Sequence, residues 1–330
     1  MLTARLGSTA VQVTAIGFGG APIGGLYRAV STADAAAAVD AAWDAGIRYY
    51  DTAPHYGLGL SERRLGESLR TRPRADYVVS TKVGRALVPD PDGVGRRDTE
   101  GFDVAATHLR AWDFSADGVR RSLEASLERL GLDRIDLLLL HDPDDHWRQV
   151  VAEAYPALHE LRSQGVVGAI GAGMNQAEML AAMVRRLDLD VVLVAGRFTL
   201  LDQSAGTELL PLCLGRGVSV IVGGVFNSGL LASADPRPDA TFDYAPASSA
   251  KLERAQAIAA VCRRHGITLP QAAVAFSAGH PAVASIVLGM RSAGEVAADM
   301  ELAATPVPAD LWAELRAAGF LRFDTATPGR

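Results

Sequence analysis

The sequence predicts an α/β fold, a (β/α)8 TIM barrel, and three observations predict it. Eight short apolar runs recur along the chain, helical stretches separate them, and the runs are continuous and β-branched rather than alternating with polar residues. Continuity of that kind suits parallel strands covered on both faces. A doubly wound open sheet is the second architecture that alternating β and α units allow. The count of eight favours closure, as does the absence of a G-x-G-x-x-G turn after the first strand. The chain has 330 residues, within the range of one barrel domain, and no linker divides it, so residues 1–330 read as one domain.

In chain order the strands are IGF at 16–18, IRYY at 47–50, YVVST at 77–81, IDLLLL at 135–140, VVGAIG at 166–171, DVVLVAG at 190–196, SVIVG at 219–223 and ASIVLG at 284–289. The segment before them, 2–13, is expected to form an N-terminal β-hairpin plugging the bottom of the barrel. Between strands, 31–43 opens on the cap residue Ser31 and stops at Gly46, and 114–130 stops at Gly131. Further helices are expected around 158–161, 176–186, 204–215 and 248–265. Two connections, 84–112 and 223–246, are long enough to act as lids or binding walls, and both follow strand C-termini, where barrels place their sites. The tail, 324–330, is expected to be loose.

Composition narrows the function. Hydrophobic residues make up 49 % and charged ones 21 %, ordinary globular values. The net charge of −6, from 32 basic and 38 acidic residues, argues against nucleic-acid partners and a polybasic membrane surface. No apolar run approaches the roughly 18 residues that span a bilayer. The opening residues lack a signal-peptide pattern, and Cys213 and Cys262 read as buried free thiols. A cytoplasmic protein is the expectation, with no metal assigned and the oligomeric state left open.

Polar residues gather where the strands end. Asp51 and the string to Tyr56 follow the second strand, Lys82 the third, His141 and Asp142 the fourth, and Gly171-Ala-Gly-Met-Asn175 the fifth. In a closed barrel these converge on one rim. A Lys, a Tyr, a His and a buried Asp there make an acid–base device, in which the ammonium lowers the phenol's pKa toward working pH. Singly, each residue has a plainer reading: Asp51 as a turn cap, Tyr56 as packing, His141 as a structural histidine. Lys82 as a Schiff-base nucleophile is the alternative chemistry.

IRYYDTAPHYGLGLSERRLGESL, VVSTKVG, DLLLLHDP and GAGMN resemble the aldo-keto reductase superfamily, in order, from about residue 17 to 299. Within it, LYRAVS, WDFS, LLLLHDPDDH, GAGMNQ, AGRFTLLDQ and FNSGLL look like the branch of sugar 1-dehydrogenases (L-fucose, D-threo-aldose) and pyridoxal 4-dehydrogenases. The resemblance implies an oxidoreductase that moves hydride from the anomeric carbon of a cyclic hemiacetal to NAD(P)+, giving a lactone. Tyr56 would be the general acid/base, Lys82 its tuning cation, Asp51 the partner of Lys82, and His141 the group orienting the substrate oxygen. The nicotinamide amide would be held by Asn175 and Arg197. A Tyr that stacks on the nicotinamide in many relatives is replaced here by Gly223. Phe226, Asn227 and Ser228 are candidates for the pyrophosphate region, and Gly289, Arg291, Ser292, Glu295 and Asp299 for the adenosine end. Glu295 stands where NADP-using relatives carry a phosphate-binding Arg, which favours NAD; Arg291 pulls toward NADP, and the two could instead pair with each other. Substrate-wall candidates are Tyr27, His55, Trp112 and Trp147, with Asp142 and Asp144 beside them. A broad NADPH-dependent aldehyde/ketone reductase and a non-catalytic nicotinamide-binding regulator are the rival readings.

Overall fold

The structure, a computed structural model, describes residues 1–322 and 325–327. Its centre is a closed barrel of eight parallel strands: β1 (Ile16–Gly19), β2 (Tyr49–Asp51), β3 (Val78–Val83), β4 (Ile135–His141), β5 (Val167–Met174), β6 (Val191–Ala195), β7 (Ser219–Gly223) and β8 (Val283–Gly289). Each pairs with its neighbour in sequence, and β8 returns to β1 through Ile286–Ile16 and Gly289–Gly19 pairs. That last pairing rules out the open-sheet alternative.

All eight expected strands are present. The fifth runs past its expected end at Gly171 to Met174, because Gly171, Ala172 and Gly173 keep the ladder with β4. Leu137, Leu139, Ala169, Val191, Ile221 and Val287 fill the barrel interior together with Tyr49. The hairpin at the bottom pairs Thr3–Arg5 with Gln12–Thr14, and its Leu6 and Val13 join that same interior cluster, as a plug requires.

The helical ring follows from local chemistry. α1 (Thr32–Asp44) begins where Ser31 accepts a hydrogen bond from the Asp34 N–H. α2 (Leu60–Leu69) packs against α3 (Ala116–Leu130), itself capped by Ser115 and ended by Gly131 in the left-handed region. Helices α4 (Tyr155–Ser163), α5 (Ala177–Arg186), α6 (Leu209–Arg216), α7 (Ser249–Arg264), α8 (Leu269–Ala278), α9 (Ala293–Ala304) and α10 (Ala309–Ala317) complete the ring. The helix expected over 204–215 is broken: a 3-10 turn, Ser204–Gly206, precedes α6. Pro211, which has no N–H to donate, sits in the first turn of α6, where that loss is harmless.

Both long connections carry structure. In 84–112 an antiparallel hairpin pairs Arg85–Pro89 with His108–Trp112, and in 223–246 Thr241–Phe242 pairs with Ala245–Pro246. The tail is corrected in part. Thr325 and Thr327 are buried, and Arg316 donates to the Thr325 carbonyl and the Thr327 hydroxyl. The rest of the expected loose segment, 324 and 328–330, lies outside the described residues.

Candidate active site

Strand register places the first three functional groups. Asp51 at the end of β2 pairs with Ser80 of β3, and residues two apart on a strand share a face. Ser80 and Lys82 therefore both turn to the barrel axis with Asp51. Ser80 Oγ donates to Asp51 Oδ1 at 2.7 Å, and Lys82 Nζ donates to Asp51 Oδ2 at 2.7 Å. Lys82 also donates to the Thr52 carbonyl and to Tyr56 Oη, each at 3.0 Å. An ammonium has three N–H groups, so all of them are satisfied although the side chain is only 2 % exposed.

Thr81 lies between these inward residues, and its hydroxyl donates to Glu62 Oε1 at 2.7 Å. The other oxygen of this fully buried carboxylate accepts from Arg129 Nε at 2.5 Å, which ties β3 to α2 and α3. Gly66, one turn along α2, lets the helices touch: a Cβ there would lie 1.9 Å from the Leu130 carbonyl oxygen. The S-E-x-x-L-G string thus braces the strand that carries Lys82.

Tyr56 reaches Lys82 from a tight turn after β2, in which the Tyr56 N–H donates to the Ala53 carbonyl and that of Gly59 to Pro54. Gly57 has φ +63°, and a Cβ on it would sit 2.1 Å from the Gly24 oxygen, so no other residue fits. His141, at the end of β4, packs edge-on to Tyr56 with ring centroids 5.9 Å apart. Its Nδ1 is buried with no hydrogen-bond partner among the described residues.

The electrostatics divide the roles. Burial works against the Lys82 ammonium, but Asp51 and the Tyr56 hydroxyl outweigh it and hold the lysine above its ordinary pKa. Burial also raises the Tyr56 phenol above 10.0, with Lys82 pulling the other way. This corrects the sequence expectation: the ammonium opposes the desolvation of the phenol without overcoming it. His141 is held well below 6.5 by burial and then by Lys82, so its ring is neutral. His55 is driven to about 2 by burial and by Arg85, Arg110 and Lys82.

These groups open into a cavity of about 550 Å³ above the barrel. Of the residues expected there, Tyr27, His55, Tyr56, Lys82, His141, Asp142 and Asn175 line it. Trp112, Trp147 and Asp144 do not; Asp144 instead accepts from Gln176 Nε2 at 3.2 Å. Trp112 stacks on Phe114 with the Arg85 guanidinium over its ring, and Trp147 packs against the core beside Arg186. At the base of the 84–112 hairpin Trp112 is paired with Arg85, and Phe114 and that guanidinium, rather than the cleft, take up its ring.

Asn175 Nδ2 donates to the Ala195 carbonyl at 3.0 Å, and its side chain also meets the Tyr244 hydroxyl. Arg197 lies outside the cavity, bonded to Asp243 at 3.0 Å. Phe226, Asn227 and Ser228 form the turn beneath Tyr244: Asn227 donates to the Gly196 carbonyl, and Ser228 Oγ accepts from the Tyr244 N–H. The buried Asn227 Oδ1 has no hydrogen-bond partner among the described residues.

Beyond β8, Gly289 leads to Ser292, the cap of α9. Glu295 accepts from the Arg291 N–H at 2.9 Å, pairs with its guanidinium at 3.2 Å, and stands 3.6 Å from Arg28. Asp299 is buried on the same helix, and burial together with Glu295 raises its pKa to about 7.

Sequence reasoning missed Arg85, Glu100, Phe102 and Tyr244, all of which line the cavity. They lie in the two long connections, whose length marked them as walls but whose paths no periodicity could reveal. Tyr244 has φ +64° and faces Tyr27, also left-handed at φ +65°, with ring centroids 6.5 Å apart. Strained backbone at two aromatic residues across one cleft is characteristic of ligand-binding walls.

Residues 15–319 match the family model described as the aldo/keto reductase family. The chain is 48 % identical over 311 residues to D-threo-aldose 1-dehydrogenase of Pseudomonas sp, covering 92 % of this chain and 94 % of that one. It is 38 % identical over 334 residues to pyridoxal 4-dehydrogenase of Microbacterium luteolum, covering 96 % and 97 %. Among solved structures it resembles aldo-keto reductase AKR11C1 from Bacillus halodurans in its holo form, with a TM-score of 0.74 at 26 % identity over 96 % of both chains. A closed eight-stranded barrel, an Asp–Lys–Tyr chain beside a neutral His at its C-terminal mouth, and a family match over nearly the whole length lead to one conclusion: this chain is an oxidoreductase belonging to the aldo/keto reductase family.

Proposed function

We propose that the enzyme oxidises the anomeric carbon of an aldose in its ring form to a lactone, with NAD+ as the favoured acceptor and NADP+ as the alternative. The observation that carries this reading is the fully satisfied Lys82 ammonium, bonded to Asp51 on one side and to Tyr56 Oη on the other. It supplies a proton-accepting phenol at the floor of a cavity large enough for a monosaccharide ring and a nicotinamide. The likeness to D-threo-aldose 1-dehydrogenase and pyridoxal 4-dehydrogenase supports a hemiacetal substrate, because pyridoxal closes to an internal hemiacetal. Pyridoxal is therefore the second substrate to test, with L-fucose among the aldoses.

The residues present fit a nicotinamide cofactor. Asn175 offers a carboxamide in the cavity, Tyr244 an aromatic face where Gly223 has none, and Asn227 an unpartnered buried oxygen nearby. A nicotinamide held there would supply the acceptor for the hydride of the anomeric carbon and, in its oxidised form, a positive charge near the phenol. Tyr56 Oη accepts the proton of the anomeric hydroxyl, and the carbon–oxygen double bond of the lactone forms as that O–H and the C–H both break. Lys82 stabilises the phenolate form before transfer and remains an ammonium throughout, held so by Asp51. The neutral His141 ring donates a hydrogen bond to the substrate oxygen and keeps it in line with Tyr56. At the far end, Glu295 occupies Arg291 and would repel a 2′-phosphate, which supports NAD.

A panel of L-fucose, D-arabinose, L-galactose, pyridoxal and simple aldehydes with NAD+ and NADP+, read by absorbance of the reduced nicotinamide and by lactone formation, tests the reading. Aldose oxidation with lactone as product is expected. Strong aldehyde reduction with NADPH and no lactone would replace it with the broad reductase reading.

A further inference from the structure

We propose that Glu100 is the hydroxyl-reading residue of this site. Its carboxylate accepts hydrogen bonds from substrate hydroxyls away from the reacting carbon and turns away substrates bearing a negative charge. The inference rests on the hydroxylated-substrate reading above and adds the residue that enforces it.

Glu100 lies in the 84–112 connection and lines the same cavity as Tyr56 and His141. Three basic groups surround it, and none is free to claim it. Arg85 Nη2 is bonded to Asp142 Oδ2 at 2.6 Å. Arg110 makes a two-pronged contact with Asp98, at 2.6 and 3.0 Å. His55 is neutral at any working pH. The Glu100 oxygens remain 3.5 Å from Arg110 and 3.8 Å from both Arg85 and His55 Nδ1. Those separations are loose for charge-assisted hydrogen bonds, which run from about 2.7 to 2.9 Å. Among the described residues, no side-chain hydrogen bond ends on this carboxylate.

A carboxylate is acceptor-only, with about four lone-pair directions. Glu100 is 49 % exposed on its side chain, so water fills those directions until hydroxyls replace it. Two adjacent hydroxyls of a sugar match its two oxygens. The charge balance sets the second half of the proposal. Lys82, Arg85 and Arg110 face Asp51, Asp142, Asp98 and Glu100, so each cation already has its own carboxylate and Glu100 is the surplus negative charge. A phosphate or carboxylate on the substrate would meet that surplus at contact distance, well inside the roughly 8 Å over which salt screens charge.

The test compares wild type, Glu100→Gln and Glu100→Ala in the reduction of three aldehydes by reduced nicotinamide: a tetrose, butanal, and an aldose phosphate. The tetrose-to-butanal ratio of kcat/KM is expected to fall roughly 10- to 100-fold in Glu100→Ala, chiefly through KM for the tetrose, with partial rescue in Glu100→Gln. Discrimination against the aldose phosphate is expected to shrink in both variants. An unchanged tetrose-to-butanal ratio, or unchanged discrimination against the phosphate, overturns the proposal. Reduction of these aldehydes does not require lactone chemistry. Variants that separate the aldehydes in an enzyme that oxidises no aldose would sustain Glu100 and sink the lactone reading. Aldose oxidation with variants that do not separate them would sink Glu100 alone.

Discussion

Replacing Lys82 with methionine removes the ammonium while keeping much of its volume. The charge stands 3.0 Å from Tyr56 Oη. At an effective dielectric constant of about 20, a unit charge at that distance is worth roughly 5.5 kcal/mol, or about 4 pKa units on the phenol. Burial already holds that phenol above 10.0, and Asp51 would then push it further up. Lys82→Met should therefore lower turnover at pH 8 by about 10²- to 10⁴-fold, the usual span of an acid–base contribution, and move the alkaline rise of the pH–rate profile beyond the measurable range. The single variant also leaves Asp51 buried and unpaired, a loss of about 3–5 kcal/mol in stability. The double variant Lys82→Met/Asp51→Asn removes that charge and separates lost chemistry from lost folding. Single-turnover oxidation across pH, with thermal melts alongside, gives both quantities. If either variant kept the wild-type rate and pH profile, Lys82 would not tune Tyr56 and the proposed mechanism would fall.

Tyr56→Phe should bind nicotinamide with unaltered Kd, read by fluorescence, yet lose about 10²- to 10⁴-fold in kcat; wild-type-like turnover would refute the phenol's role. Glu295→Arg should shift preference toward NADP+, because Arg28 and Arg291 would lose the carboxylate they share and gain a third cation. An NAD+/NADP+ ratio unmoved by the change would mean the ribose end is read elsewhere. Asp299 has its pKa raised to about 7 against an ordinary 3.8, so the folded chain binds the proton more tightly than the unfolded one. Stability should then fall as pH rises from about 4 to 7 and stay low above that. Asp299→Asn should raise Tm more at pH 8 than at pH 5, and an equal gain at both would place the effect outside its titration.

The barrel was legible because each strand is a short apolar run buried on both faces, a pattern that needs no tertiary context. The clustering of Asp51, Tyr56, Lys82 and His141 was legible because strand ends must converge in a closed barrel, and the D-T-A-x-x-Y-G string is specific. Trp112 shows where such reading stops. Its position after a long connection suggested a sugar platform, but the hairpin that organises the connection places it beneath Arg85 and against Phe114. Hairpin register in 84–112 depends on pairing across its two ends, which no local pattern encodes. Tyr244 was missed for a related reason: the turn at Asn227 and Ser228 sets its path, and their left-handed backbone is not announced by glycine. The sign of the Tyr56 shift was also illegible, since desolvation depends on what surrounds the ring in three dimensions.

On the proposed function, the hairpin over the barrel mouth separates substrate choice from proton transfer. Arg85 at its foot and Glu100 and Arg110 further along belong to one contiguous stretch, whereas Asp51, Lys82 and His141 are anchored in the strands beneath. On the proposed mechanism the reacting groups can therefore stay untouched while this stretch is exchanged for that of a relative, its ends already held together by five antiparallel residue pairs. Such a graft offers a direct route to new substrates on an unaltered hydride-transfer floor.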